Sequence, residues 1–396
     1  MRRRESPSRR GKSGLLLVFA LGIAALALVA AGCGGGNDNA SGTDTTAASG
    51  SCDGSIWVLL PDSTTSPRWE TDDRKYFDES LTAAGVKHNI VNAEGDTATQ
   101  QSQMEEAIAD GAKVVVLTSI DTASGGALID QAKEAGVDVI EYDRFNTGSS
   151  GGAAYVSFDN VGVGAKMAET LEPLIDGLGV DTPQVVELNG GEIDNNAFLF
   201  KDGYDSTVQK HVDDGSWARV SSQFVPNWGN SGEGQTLMEQ VLTDANNKVD
   251  AVFAANDNLA QQAINALEAA GVGPVPMSGQ DASAAGIQNI LLGKQSMTVY
   301  KPIKAEADIA AKAALALCAG DDPSTVTSDF EYKTIGITAA DGKPAEAGTG
   351  VPYLALTPTS VTVDNIADTV IADGFRTVKE VCTGDTAGTD FCKENS

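Results

Sequence analysis

Apolar runs in this chain repeatedly end in a polar or charged residue. The run 55–60 leads through Asp62 to Arg68, 137–142 to Asp143 and Arg144, 251–255 to Asn256 and Asp257, 276–280 to Asp281, and 298–300 to Lys301. Short apolar runs bounded by turn residues predict buried strands over 55–60, 86–91, 114–118 and 137–142, then over 184–188, 220–224, 251–254, 276–278 and 298–300. Between them, apolar positions recur at helical spacing, which predicts helices over 74–84, 99–109, 163–176, 197–212, 234–242, 259–270, 284–292 and 303–317. Parallel sheets covered on both faces have such near-continuous apolar strands. In open sheets of this kind ligands bind beyond the carboxyl ends of the strands, so the polar residues ending the runs are expected to meet in one crevice.

The predicted fold is therefore α/β, with two doubly wound parallel-sheet lobes joined by a multi-strand hinge. Extended residues near 155–160 and 299–303 are expected to cross between the lobes. The helix 303–317 and the apolar run 353–356 then return and cross once more. The expected first lobe is 54–160 with about 302–352, and the second is 161–301 with about 353–396. Several crossings permit bending about a few extended residues while keeping the lobes in register.

Composition is that of a globular protein, with 41% hydrophobic and 21% charged residues, and 396 residues suffice for two separate cores. The first 32 residues contain Arg2, Arg3, Arg4, Arg9, Arg10 and Lys12 ahead of an uncharged apolar stretch ending at Ala31-Gly32-Cys33. This reads as a bacterial lipoprotein signal with Cys33 as the lipidated residue; a membrane anchor or an ordinary signal peptide is the alternative. Arg9-Arg10 lacks the apolar pair that would mark twin-arginine export. The rest of the chain keeps 21 basic and 54 acidic residues, a formal −33, which argues against nucleic acid or anionic lipid as a partner. After Cys33, the Gly-, Ser- and Thr-rich stretch of 33–53 reads as a tether; about 18 flexible residues at about 5–6 Å × √n would span about 20–25 Å. Cys52, Cys318, Cys382 and Cys392 favour two disulfides in an exported chain. Three connectivities are open, and 382–392 could close locally. No Cys/His cluster suggests a metal.

The segments SPRWETDDRKYF, EYDRF, YVSFDNVGVG, DNNAFLFKDG, AANDN, SGQDASAAGI and MTVYKPI occur in this order. Together they resemble the periplasmic D-xylose-binding protein family of the type I sugar-binding proteins, from residue 55 to 374. The leader, tether and cysteine-bearing C-terminus lie outside the resemblance. What it implies is a sugar site in which Arg68, the pair Asp143 and Arg144, Asn196, Asn256, Asp281 and Lys301 hydrogen-bond the ligand and Trp228 stacks on its ring. The surrounding QFVPNW departs from the family pattern. Asp62, Trp69 and Phe145 are weaker candidates.

The chemistry of these residues agrees with that expectation. Neighbouring pyranose hydroxyls both donate and accept, so planar Asp, Asn and Arg groups can engage them in pairs. Burying Arg68, Arg144 and Lys301 near Asp143 and Asp281 requires the charges to pair, which suits an uncharged ligand. Each residue also has a plainer reading. Asp143, Asp281, Asn256 and Asp257 precede helices, where short polar side chains commonly cap at about 1 kcal/mol. Lys301 before Pro302 could be a solvated lysine ahead of a helix, Trp69 and Trp228 could be core, and Arg68 could lie on the surface.

Nothing points to catalysis. The chain has no G-x-S-x-G elbow, phosphate loop or H-E-x-x-H motif. His88 and His211 fall in a strand and a helix. The many carboxylates leave a glycosidase pair open on counting alone. The expected protein is a monomeric, lipid-anchored, extracytoplasmic binding protein that needs no cofactor and delivers a monosaccharide, D-xylose foremost, to the permease of an ABC importer. A sugar sensor and a secreted carbohydrate-active enzyme are the alternatives. A repressor of this fold would need an N-terminal DNA-reading domain where the leader stands.

Overall fold

The computed structural model describes residues 52–326, 331–336 and 350–395. The leader, Cys33 and the tether up to residue 51 lie outside them. The strands are β1 (Ser55–Leu60), β2 (Lys87–Asn92), β3 (Ala112–Leu117), β4 (Asp138–Tyr142), β5 (Ala154–Phe158), β6 (Gln184–Asn189), β7 (Ala218–Phe224), β8 (Ala251–Ala254), β9 (Thr298–Tyr300), β10 (Glu331–Gly336), β11 (Gly350–Leu356) and β12 (Thr359–Val361). The helices are α1 (Arg74–Ala83), α2 (Thr97–Ala109), α3 (Thr122–Glu134), α4 (Asn160–Asp176), α5 (Asn195–Asp214), α6 (Glu233–Asp244), α7 (Asp257–Ala269), α8 (Ala284–Leu291), α9 (Ile303–Ala319), α10 (Val378–Val381) and α11 (Asp390–Asn395).

The first lobe is built on a seven-stranded sheet ordered β10-β11-β5-β4-β3-β1-β2, parallel except where β10 runs against β11. Every residue of β1 is buried. The two-residue period of a strand explains why: Ile56, Val58 and Leu60 enter one core with Val114, Val116 and α9, while Trp57 and Leu59 enter the opposite core with Val115, Leu117 and α3. The second lobe has β7-β6-β8, all parallel. The expected strand at 276–278 is reduced to a single parallel bridge, Val252 with Met277. A second bridge joins Gln280 to Val299, and β9 pairs antiparallel with β12.

Among the described residues three extended connections link the lobes: β5 to α4, β9 to α9, and β11 to β12. The pairing of Tyr353–Leu356 with Tyr155–Phe158 corrects the lobe boundary expected at 352, because the chain crosses only after Leu356. The first and last connections run side by side, with the Asp159 amide donating to the Leu356 carbonyl at 2.9 Å.

Sequence periodicity also missed α3, whose TASGGALIDQAKE has two glycines that weaken helix propensity. Close packing requires them. A Cβ on Gly125 would lie 1.9 Å from Asn146 Oδ1, and one on Gly126 2.5 Å from the Thr147 carbonyl. In the second lobe, α4 and α5 approach equally closely, since a Cβ on Gly164 would lie 1.9 Å from the Phe200 carbonyl oxygen. That contact sets α5 so that its first turn reaches the cleft. Cys52 bonds Cys318, tying the start of β1 to the end of α9, and Cys382 bonds Cys392. Among the described residues no helix is long and apolar enough to cross a membrane.

Candidate functional site

Strand ends and helix starts from both lobes line a cavity with about 340 Å³ of space between its walls, part of it open to solvent. Its walls include Arg68, Trp69, Asp143 and Arg144 from the first lobe, Asn196, Trp228, Asn256 and Asp281 from the second, and Lys301 from the β9–α9 connection. Thr65, Ser66, Asp194, Phe200 and Gln280 complete them. All eight foremost sequence candidates therefore line one cavity, and so does Trp69. The other two weaker candidates do not. Asp62 caps the loop after β1 by accepting from the Thr64 and Thr65 amides, and it faces a neighbouring cleft. Phe145 packs in a separate cluster with Tyr155 and Val351.

Asp143 is the electrostatic centre. Its Oδ2 accepts from Arg68 Nη1 at 3.0 Å and Lys301 Nζ at 3.1 Å, and its Oδ1 from Asn196 Nδ2 at 3.1 Å. Burial pushes this carboxyl up, but the Lys301, Arg68 and Arg144 charges outweigh it and hold the group at about 2. Arg68 is anchored from behind: Asp73 accepts from Nε and Nη2 at 2.9 and 2.8 Å, and Glu306 Oε2 from Nη2 at 2.9 Å. Four of the five guanidinium N–H groups are thus committed to protein, leaving one on Nη1. Its plane also lies 4.2 Å from the Trp69 ring centre, a cation–π contact. Arg144 forms an ion pair with Asp194 at 2.9 Å and donates to the Ser119 carbonyl.

The charges lining the cavity balance: Arg68, Arg144 and Lys301 against Asp143, Asp194 and Asp281. Behind Arg68, burial pushes Glu306 up to about 8 and also raises Asp73. A folded-state value above the ordinary one means the native state holds the proton longer. Stability from this group should therefore fall as pH rises from the normal carboxyl range through about 8, approaching about 1.4 kcal/mol per pH unit at most. Glu306→Gln should retain the bond to Arg68 and flatten that fall, read as urea midpoints across the same interval. A slope unchanged from wild type would place the proton elsewhere.

Several side chains in this cavity are held by backbone that is unfavourable for anything but glycine. Asp143, Trp228 and Asp281 have φ of 58°, 55° and 96°, and their neighbours Asn227 and Ala282 share the positive sign. Each such residue costs about 1–3 kcal/mol, and a concentration of them at one cleft points to function. Trp228 is held by Asn258, which donates to its carbonyl at 3.0 Å. Its ring occupies space that a side chain on Gly190 would fill, since a Cβ there would lie 2.3 Å from Trp228 Cη2. Phe200 meets that ring edge-on at 6.1 Å. Trp69, Phe200 and Trp228 give the cavity aromatic walls.

The capping role also holds in part, because Asn256 Oδ1 accepts from the Leu259 amide at 2.8 Å and starts α7. Its Nδ2 and the whole Gln280 side-chain amide make no hydrogen bond among the described residues. Among the described residues the Asp281 carboxylate has only a 3.5 Å contact from Ser66 Oγ. At α8 the cap is Ser283. Asp257 is drawn away from the cavity to the Ser283 amide and Gln295 Nε2, and burial pushes it up to about 6.

Sequence reasoning missed Thr65, Ser66, Asp194, Phe200 and Gln280, although signals existed for some. Phe200 lies one helical turn beyond Asn196, on the same face. Asp194 precedes a helix and caps it through the Asn196 amide. Gln280 adjoins Asp281 at a strand end. Glu306, three residues after Ile303 and four before Ala310, interrupts the apolar stripe of α9.

Bonds between the lobes close the cleft. Asn196 Nδ2 donates to the Asp143 carbonyl, Asn230 Nδ2 to Thr64 Oγ1 at 2.6 Å, and the Thr122 amide to the Ile193 carbonyl at 3.0 Å. Among the described residues no group of three or more His, Cys, Asp or Glu side chains could hold a metal.

Residues 57–322 match the family model described as "Periplasmic binding protein domain". The D-xylose-binding periplasmic protein of Escherichia coli (strain K12) is 37% identical over 317 residues, covering 79% of this chain and 88% of that protein. The multiple sugar-binding periplasmic receptor ChvE of Rhizobium radiobacter is 30% identical over 342 residues, 81% of this chain and 90% of its own length. Among solved structures, an ABC transporter solute-binding protein from Clostridium phytofermentans with bound β-D-glucose superposes with a TM-score of 0.72 at 27% identity, covering 83% of this chain and 99% of that one. A carbohydrate transporter solute-binding protein from Chloroflexus aurantiacus, in complex with D-glucose, gives 0.72 at 29%, covering 82% and 97%. This chain belongs to the type I periplasmic sugar-binding protein family, whose members bind solutes and are not enzymes.

Proposed function

We propose that this protein captures a monosaccharide outside the cytoplasm, D-xylose foremost, and presents it to the permease of an ABC importer. One observation carries the reading: a charge-balanced cavity with aromatic walls between the lobes, in which Asn256, Gln280 and Asp281 retain hydrogen-bonding capacity that is unused among the described residues, apart from the 3.5 Å contact of Ser66 with Asp281. A neutral pyranose matches it, with hydroxyls for the acids and amides and C–H faces for Trp69, Phe200 and Trp228. Binding would favour the closed form because Arg68, Asp143 and Arg144 on one lobe and Asn196, Asn256 and Asp281 on the other reach the same sugar only when the cleft shuts. D-Xylose is favoured by the name of the 37% identical relative. D-Glucose, found in two solved relatives, differs by one CH₂OH and is the first competitor to measure.

Asp281→Ala removes a charged acceptor with little other work to do. We expect about a 10–100-fold loss of sugar affinity, from about 1.5–3 kcal/mol for a charged hydrogen bond, with thermal stability retained. Unchanged calorimetric affinity would remove Asp281 from the site. The basic, apolar leader ahead of Cys33 supports a lipid anchor on the outer face of the membrane. Labelled palmitate should enter the wild-type protein and not Cys33→Ser; equal labelling of both would end the anchor assignment.

A further inference from the structure

Asp281 and Ala282 form a strained pair, with φ of 96° and 46°, yet the Asp281 carboxylate has to stay aimed at the cavity. The pair is pinned on two sides by the second lobe itself. The Asp281 amide donates to the Val299 carbonyl at 3.0 Å, and the Ala282 amide to Thr298 Oγ1 at 3.1 Å. The third pin comes from the C-terminal segment, where Arg376 Nε donates to the Ala282 carbonyl at 2.9 Å. The same guanidinium turns its Nη1 towards Asp72 Oδ2 at 3.9 Å. Asp72 belongs to the first lobe, on the π-helical turn Trp69–Asp73 that follows Arg68 and bears Trp69 and the Arg68 anchor Asp73.

Arg376 is itself well seated. Its guanidinium lies 3.9 Å from the Phe375 ring centre, and Phe375 packs on Tyr300 at 5.0 Å. The segment is tied to α8 through Gln288 Nε2, which donates to the Glu380 carbonyl and to Thr383 Oγ1, and the Cys382–Cys392 disulfide follows directly. Arg376 thus stands beside a cleft that shares Thr65, Ser66, Arg68, Asn256 and Asp281 with the ligand cavity, and it lies between the turn that follows Arg68 and the loop that bears Asp281.

We propose that Arg376 is a positioning residue and closure latch: it holds the Asp281 loop in its strained form and, as the cleft shuts, engages Asp72 across it, slowing ligand release. The inference rests on the proposed reading of the cavity as a sugar site. The bond to the Ala282 carbonyl acts in open and closed forms alike, whereas the attraction to Asp72 exists only when the lobes meet, so the two halves of the role are separable.

The test measures D-xylose release from the full chain by stopped-flow fluorescence, together with amide exchange at 281–283 in sugar-free protein. Arg376→Gln should speed release about tenfold or more and accelerate exchange at the loop, because it loses a fixed donor and a charge. Asp72→Asn should speed release about threefold, less at high salt, and leave exchange unchanged. In the double variant Asp72→Asn should add nothing. Arg376→Lys, which keeps the charge and loses the fork, should fall between wild type and Arg376→Gln, and it carries the test with Asp72→Asn if the glutamine variant does not fold. Wild-type release and exchange in the Arg376 variants, or an Asp72→Asn effect that persists undiminished without Arg376, would overturn the latch. A wild-type protein that binds no sugar, with loop exchange still accelerated by Arg376→Gln, would instead count against the sugar site and leave the pinning of the loop supported.

Discussion

Asp143→Asn is expected to weaken sugar binding by about 10²–10³-fold and to lower stability by about 3–5 kcal/mol, the usual consequence of removing one partner from a buried charge cluster. Arg68 would keep Asp73 and Glu306, so it is not the group left exposed to the loss. Lys301 is. Its only hydrogen bond among the described residues is to Asp143 Oδ2, it is buried, and the rings of Phe158 and Phe200 near it are a weak substitute. Calorimetric titration gives the first effect and urea unfolding of sugar-free protein the second; an asparagine variant with both unchanged would contradict the assignment of Asp143 as the centre of the site. The pH dependence follows from the same group. Its native value of about 2 lies below the ordinary aspartate value, so its contribution is fully present above about pH 4 and is lost as pH falls through about 2. Sugar-free wild type should lose stability over that acid interval, and Asp143→Asn should lose less.

Trp228→Ala is expected to cost about 3–5 kcal/mol, divided between fold and ligand, because the indole is at once a packed core ring and a wall of the cavity. Trp228 sits at φ 55°, and a residue whose conformation is strained contributes chiefly through what its side chain reaches. Trp228→Phe should therefore recover most of the stability and part of the affinity, while the alanine variant should show a reduced ligand-induced fluorescence change, Trp69 being the other indole in the cavity wall. If titration of Trp228→Ala reproduces the wild-type isotherm, stacking belongs to Trp69 or Phe200 instead.

The central strands of the sheets were legible in the sequence because they are buried on both faces. Runs such as SIWVLL and AKVVVL carry that signal without any need of alternation. The polar residues at their ends were legible for a related reason: a charged residue directly after a buried strand has to lie at the strand's end, where the cleft is. The hidden features depend on close approach. Gly125 and Gly126 weaken α3 as a sequence pattern, yet they let it pack. Gly190 makes room for Trp228, a pairing across 38 residues that no local period records. The carboxylates behind Arg68 were invisible for a different reason, since Asp73 sits in an acidic surface-like run and Glu306 on an alanine-rich helix. Only the tertiary fold shows that both point inward at one guanidinium. Phe145 lies outside the cavity because adjacency in sequence does not survive the turn after β4: Arg144 still lines the cavity, whereas Phe145, one residue on, packs with Tyr155 and Val351.

Calorimetric titration of the protein against D-xylose, D-glucose, L-arabinose and D-ribose is the direct measurement of whether the cavity takes a neutral monosaccharide. Saturable one-to-one binding of D-xylose is expected, with D-glucose next, little dependence on ionic strength because the ligand is neutral, and no consumption of the sugar afterwards. Heats of dilution alone for every sugar in the panel would contradict it.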